Sequence, residues 1–328
     1  MKNKTAKLLF KRIAGSVITL FLIVTFIFFL VRLSPGDPSL KFISPSLSPG
    51  LAEKVRESLN LNQPLHLQYI GFLTSAVQGD LGVSYNFRRE VVSVIMDYLP
   101  FTILFVVISF ILQMIISFGL AIKSIKKING IFDRIFSKLT LFLYAAPVFV
   151  TGVFLVFIFS ELLNLFPSSG LKSYDFEDYT FFGKMLDYLN HLILPILTLA
   201  LAEVAIFYKY LRDNLEDVFN KLFVLNLRAN GVSEKDILIK HVIPNAINPL
   251  ITIAGIELGI MLGGTLIVEV VFGLPGMGRL TIDSILSRDY PLVIGCSLAA
   301  GVLIISANFL ADIFKASLDK RLLEGSLR

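Results

Sequence analysis

Residues 13 to 31 read IAGSVITLFLIVTFIFFLV, nineteen positions without a charge, bracketed by Arg12 and Arg32. A helix rises about 1.5 Å per residue, so a run of this length matches the ~30 Å hydrocarbon core of a bilayer. Five further apolar runs follow, at 101–122, 139–159, 191–208, 247–271 and 291–313. The composition agrees: 55% of the 328 residues are hydrophobic and only 17% charged, a balance seldom seen in a soluble domain. The sequence therefore predicts an all-α integral membrane protein with six transmembrane helices. The first run exceeds the core of roughly 7–15 residues usual in a secretory signal, and no small-residue cleavage site follows it. It reads as a retained anchor.

Orientation follows from the basic residues, which concentrate in short cytoplasmic loops. With the N-terminus inside, segments 1–12, 123–138, 209–246 and 314–328 hold 20 of the 30 Lys and Arg residues. Segments 32–100, 160–190 and 272–290 hold the other 10. Both termini are expected in the cytoplasm. The net charge of +5 reflects this bias and forms no stripe suited to nucleic acid. Cys296 is the only cysteine and falls in the sixth run, so it reads as a packing residue. His66, His191 and His241 are too dispersed for a local metal motif, and no metal or other cofactor is expected.

The segments between runs carry turn chemistry. SPGDPS, 34–39, ends the first span; a short helix after Pro49, a break near Pro64 and an amphipathic piece follow; GDLGVSY, 79–85, turns again. This region reads either as a loop on the membrane surface or as a lid that meets substrate. Tyr174, Phe176, Tyr179 and Phe181 suit an interfacial aromatic belt. In FGLPGMGRLTIDSILSRDYP, 272–291, Gly276 and Gly278 begin a G-x-G-x-x-G pattern, but Thr281 occupies the third glycine position and no strand precedes it. The glycines and Pro275 instead allow a tight turn into a short helix over IDSILSRDY.

One stretch breaks the apolar character: LRANGVSEKDILIKHVIPNA, 227–246, within a segment 209–246 that holds six basic and five acidic residues. From 211 to 229, Leu211, Leu215, Val218, Phe219, Leu222, Phe223 and Leu225 fall on one helical face. Asn230 and Gly231 end that helix, glycine suiting the left-handed position past a C-terminus. Ser233 is placed as the next N-cap, with Asp236 at the third position of a capping box, and a second helix is expected to run to Pro244. Helix, turn and helix held between two spans make a rigid lever for a protein partner. A DNA-binding helix-turn-helix would need a basic surface and open access, and neither is present.

These residues resemble the inner-membrane permease subunits of ATP-driven importers, in the dipeptide, oligopeptide and nickel branch. LRANG and KHVIPNAINP are similar to that branch's A-R-A-K-G and K-H-A-L-R-N-A-L-I-P, within its so-called EAA motif, departing at Leu227, Asn230 and Pro244 while keeping the spacing. VRLSPGDPS, LNQPLHLQY, GDLGVSY, GGTLIVEVVFGLPGMGRL and RDYPLV extend the likeness over almost the whole chain; Lys320 in SLDKRL stands where the branch usually has proline. The resemblance implies a type I importer permease fold. Residues 1–95 would form an N-terminal helix with an extracytoplasmic segment, 96–316 the transmembrane domain with a coupling segment at 211–245, and 317–328 a tail. It further implies a second homologous permease, two ATPase subunits and an extracytoplasmic substrate-binding protein as partners in the bilayer. Arg228, Ala229, Asn230, Gly231, Ser233, His241 and Asn245 would couple to the ATPase. Glu257, Glu269, Gly273, Pro275, Gly276 and Gly278 are the pore and outer-gate candidates.

No G-x-x-x-x-G-K-[ST] phosphate loop occurs, so ATP hydrolysis is expected on other chains, and neither H-E-x-x-H nor G-x-S-x-G suggests a membrane-embedded enzyme. Glu203, Glu257 and Glu269 lie within apolar runs, where an acidic residue at a span centre costs about 2.5–3.5 kcal/mol on insertion scales. Glu269 matches a motif position at the fifth-span exit. Glu203 and Glu257 would pack against a polar partner, line a cavity or couple protons, the last defining a secondary transporter; no broken half-helix pair or inverted repeat is legible. For the solute, the resemblance favours short peptides, with nickel or a nickel chelate as the alternative.

Overall fold

The computed structural model describes residues 2–33, 63–128 and 130–318. The turn at SPGDPS, the helix after Pro49 and the departure at Lys320 lie outside the described residues. Among those described, five helices are long and apolar enough to cross a membrane, and one bent pair supplies a sixth candidate span. The chain forms two compact units, one from Met1–Phe101 with Pro275–Val302, the other from Thr102–Leu274 with Leu303–Arg328.

The first unit holds α1 (Lys2–Leu33), α2 (Leu65–Val77), the start of α3 (Val91–Ile125), α10 (Met277–Leu286) and the start of α11 (Tyr290–Leu318). Pro64 precedes α2, as its fixed φ suits a helix entry. Gly79 and Gly82, at φ +84 and +82, turn the chain back so that Val83 bridges Glu90. Val91, Val94 and Ile95 pack on Met277, Leu280, Leu292 and Cys296. At Gly295 any side chain would collide with Val91, so the glycine permits this close approach. Asp289 is fully buried, and its carboxylate accepts from Ser84 Oγ at 2.5 Å, the Asn86 amide at 2.9 Å and the Leu292 amide at 3.4 Å. One carboxylate thus ties the 84–86 loop to the first turn of α11, where the helix dipole favours negative charge.

The second unit contains the rest of α3, α4 (Ile131–Ala145), α5 (Val148–Val156), α6 (Phe181–Phe219), α7 (Leu222–Ala229), α8 (Glu234–Asp236), α9 (Ile243–Val271) and the end of α11. Wide π-type turns at Phe157–Leu162 and Ile237–Val242 continue α5 and lead into α9.

Four sequence expectations change here. The third span is not one helix over 139–159 but α4 and α5 bent by 105°, so a broken pair does exist. Pro147 is the cause: its ring drives Ala146 to an extended conformation, ψ 131°, and removes an amide donor. The fourth span is far longer than 191–208. At 39 residues and about 1.5 Å each, α6 extends roughly 58 Å, well past a ~30 Å bilayer core, because helix continues wherever one face stays buried. Nor does Pro244 stop a helix. The π-type turn just before it relaxes the backbone around Lys240, whose carbonyl the proline ring would otherwise crowd, and α9 runs on. Phe176 also leaves the expected aromatic belt: it is buried, 4.7 Å from the Tyr188 ring, whereas Tyr174 and Phe181 are exposed.

A bidentate ion pair fixes α6 against α4. Arg212 donates from Nε to Asp133 Oδ1 and from a terminal nitrogen to Oδ2, both at 2.9 Å, and Asp133 is 3% exposed. Tyr208 donates to the same carboxylate at 3.2 Å. Removing one partner of a buried pair leaves an uncompensated charge and costs about 3–5 kcal/mol, while an apolar pair of similar volume is tolerated. Arg212→Met is therefore expected to lower the thermal midpoint of the purified protein strongly in a size-exclusion melting assay, and adding Asp133→Leu to recover most of it. An unchanged midpoint in the single variant would show that the pair does not anchor α6.

Candidate functional site

The polar stretch singled out in the sequence is built onto the end of α6. Leu211, Leu215 and Val218 are buried together with Val224 of α7, Ile237 and Val242 of the π-type turn, and Ala246 and Leu250 of α9. Ala121 and Ile125 at the end of α3 join the same apolar knot. The continuous helix expected over 211–229 is broken, since Lys221 is extended with ψ 147°. That break rotates the helix face beyond it, and Leu222 and Leu225 are exposed, contrary to expectation. Burying a chain of aliphatic residues at about 25 cal/mol per Å² makes the knot the main adhesive of the segment.

The turn itself is a Schellman motif. The Gly231 amide donates to the Arg228 carbonyl at 3.0 Å and the Val232 amide to the Leu227 carbonyl at 3.1 Å, with Gly231 at φ +75. Leu227 and Val232 both pack on the knot, giving the motif its usual apolar contact. Ser233 caps α8 by accepting the Asp236 amide at 3.1 Å. The box is not the reciprocal kind: the Ser233 hydroxyl donates to Asp236 Oδ2 at 2.9 Å, and Asp236 also pairs with Lys240 at 2.7 Å.

Arg228 spans the turn, donating from Nε to Glu234 Oε1 at 2.6 Å and from a terminal nitrogen to Oε2 at 3.1 Å, with its guanidinium 5.8 Å from the Phe219 ring. The guanidinium holds the Glu234 carboxyl below the ordinary carboxylate range. The pair therefore persists at neutral pH and is lost as acid protonates Glu234. Both groups are largely exposed, so it orients more than it stabilises. Ala229, Asn230, Gly231 and Ser233 form a continuous exposed rim, and no added Cβ at Gly231 would meet an atom within 4 Å. His241 is half-buried one helical turn before the exposed Asn245, whose amide donates to its carbonyl at 2.7 Å.

The intramembrane acids divide into two places. Glu257 on α9 is 2% exposed, lies beside Glu203 on α6 and Gln113 on α3, and leaves its Oε2 without a hydrogen-bond partner among the described residues. Gln113 also donates to the Glu203 carbonyl at 3.1 Å. Glu269, three turns further along α9, is fully buried and accepts from Thr102 Oγ1 at 2.7 Å. Gly273, at φ +65, ends α9, and the Leu274 amide donates back to the Glu269 carbonyl at 2.8 Å. Pro275 is half-buried, Gly276 is the extended residue before α10, and Gly278 is buried in its first turn. A cavity of about 800 Å³ in the second unit is lined by α3, α9 and α11 with apolar residues such as Phe110, Leu258 and Leu303, and none of these acids reaches it.

Sequence reasoning missed Asp133, Tyr208 and Arg212. In the sequence Arg212 is one charge beside an apolar stripe and Asp133 one acid in a short polar segment, and their pairing links residues 79 positions apart.

Long apolar helices with a polar knob continuous with one of them are the features of a multi-pass membrane protein. The binding-protein-dependent transport system inner membrane component family matches residues 113–324, and the N-terminal region of such membrane components matches residues 5–106. The chain belongs to this family, with the type I permease fold, and is a multi-pass protein of the plasma membrane. It is 34% identical over 318 residues to the oligopeptide transport system permease protein AppB of Bacillus subtilis, covering 97% of this chain and 99% of that one. It is 33% identical over 311 residues to the glutathione transport system permease protein GsiC of Escherichia coli K12, covering 94% and 96%.

Loss of the Ser233 cap should fray α8. A cap of this kind contributes about 0.5–2 kcal/mol, so Ser233→Ala is expected to speed amide hydrogen exchange at 234–238 while leaving exchange in α6 unchanged. Exchange at 234–238 equal to that of the unaltered protein would mean that the cap holds nothing.

Proposed function

We propose that the chain is the pore-forming permease subunit of an ATP-driven importer of short peptides. It pairs with a second homologous permease, two ATPase subunits and an extracytoplasmic binding protein, and performs no catalysis itself. The observation that carries this reading is the exposed rim of Ala229, Asn230, Gly231 and Ser233, set on a Schellman turn that is packed against the spans. Such a knob gives an ATPase a stiff contact, since any displacement of the turn reaches α6 and α9 through packed side chains. Arg228, Ala229, Asn230, Gly231, Ser233, His241 and Asn245 form the docking surface within 211–245. Residues 1–95 act as anchor and extracytoplasmic segment, 96–316 as the transporting domain and 317–328 as a tail. The names of the relatives, oligopeptide and glutathione permeases, support a peptide over nickel as solute. Glu257, Glu269 and the 273–278 turn line or brace the pathway and its outer gate.

Gly231→Asp tests the coupling role. A side chain in the left-handed region strains the turn by about 1–2 kcal/mol, and the added charge obstructs the rim. Expression and membrane insertion are expected to stay near normal while ATPase association and peptide uptake fall together, with Arg228→Glu acting in the same direction more mildly. Full ATPase binding and uptake in Gly231→Asp membranes would reduce the segment to a solvated loop.

The orientation, with both termini cytoplasmic, is tested by accessibility. Tyr174, Leu286 and Lys235 are exposed, Lys235 in α8 just past the rim, and the native Cys296 is buried. Cysteines at Tyr174 and Leu286 are expected to react with an impermeant thiol reagent on intact cells and one at Lys235 only after the membrane is opened. The reverse pattern would invert the topology.

A further inference from the structure

The first unit contains a second cavity, of about 480 Å³, that the transport reading does not use. Arg32 lines it from the last turn of α1, at the end of the apolar span Ala14–Leu33. That position places the guanidinium at the level of lipid headgroups. The guanidinium carbon lies over two aromatic rings, 5.6 Å from the centre of Phe28 and 6.0 Å from that of Tyr290. Among the described residues Arg32 Nε is buried without a hydrogen-bond partner, and no carboxylate pairs with Arg32.

Such a charge is expensive to hold beside aromatic rings unless an anion compensates it. No hydrogen bond or ion pair joins Asp289 to Arg32; its carboxylate is instead held by Ser84, Asn86 and Leu292. Asp80, at the cavity wall, accepts the Gly82 amide at 2.8 Å and so shapes the loop. Arg88 contributes a second cation, giving the lining two positive charges and one negative. The remaining lining is amphipathic, with Phe28, Phe72 and Ile294 apolar and Gln63 and Ser75 polar. An anionic headgroup attached to an acyl chain has this same division, and basic pockets between membrane helices are suited to it.

We propose that this cavity binds the phosphate group of an anionic phospholipid, with Arg32 as its central contact and the Phe28, Phe72 and Ile294 wall receiving the upper acyl chain. The site would make bilayer composition part of what holds the first unit together.

Native mass spectrometry of the full chain, released from nanodiscs of phosphatidylglycerol or of phosphatidylcholine, tests this. The expected result is retention of phosphatidylglycerol but not phosphatidylcholine, and affinity about tenfold weaker in Arg32→Gln, as loss of a charge-assisted hydrogen bond implies. Gly71→Leu provides a second variant. It keeps Arg32, and a Cβ at Gly71, which lines the cavity, meets nothing within 4 Å, so the leucine should fill the space without disturbing α2. It too is expected to lose the lipid, and it decides the matter if Arg32→Gln fails to fold. Equal lipid retention in wild type and Gly71→Leu would overturn the proposal. So would stabilisation by inorganic phosphate or dialanine in lipid-free micelles that matches phosphatidylglycerol, since the site would then serve a free anion or a peptide carboxylate.

Discussion

The bidentate contact between Arg212 and Asp133 holds the end of α6, on which α7 and the turn at 230–233 are built. A guanidinium fork against one carboxylate fixes direction as well as distance, and Tyr208 adds a third donor to the same group. Ser124 and Ser137 lie within hydrogen-bond distance of the Tyr208 hydroxyl, at 2.9 and 3.2 Å, so α3 and α4 both hold α6 at this level. The apolar knot then continues from the Arg212 level through α7 and α9. A polar clamp specifies the arrangement and an aliphatic cluster supplies the adhesion, which is a sensible division because buried ion pairs contribute geometry more dependably than stability.

Glycine and proline shape the helices where packing alone would not. Pro147 breaks α4 from α5, whereas Pro195 and Pro249 are accommodated inside α6 and α9. The difference lies in the course of the chain around the missing amide. A helix can absorb one lost bond when neighbours or a widened turn satisfy the freed carbonyl, but not an abrupt change of direction. Gly255 serves a separate purpose, since a side chain there would collide with Ala311 and force α9 away from α11.

The buried charges show two solutions to one problem. Glu269 accepts a hydrogen bond from Thr102 on α3, whereas Glu257 lies beside Glu203 and Gln113 with its Oε2 left without a hydrogen-bond partner among the described residues. Arg32 instead leans on aromatic faces at the end of a span, where an outside anion can reach its edge. An acid deep in hydrocarbon requires partners from the protein, while a base at the boundary can draw on the lipid.

Local chemistry was legible in the sequence wherever neighbours along the chain decide it. The number of apolar runs, the left-handed Gly231, the Ser233 cap and the glycine turn at 273 follow from residue type and spacing, because length against the bilayer and the backbone freedom of glycine act within a few residues. Tertiary structure decided the rest. Whether Pro147 and Pro244 break a helix depended on the conformations around them, and the exposure of Leu222 and Leu225 depended on a single extended residue at Lys221. The pairing of Asp133 with Arg212 and the aromatic seat of Arg32 join residues distant in sequence, and no periodicity encodes such contacts. They exist because burying a charge is tolerable only where the fold brings a partner to it.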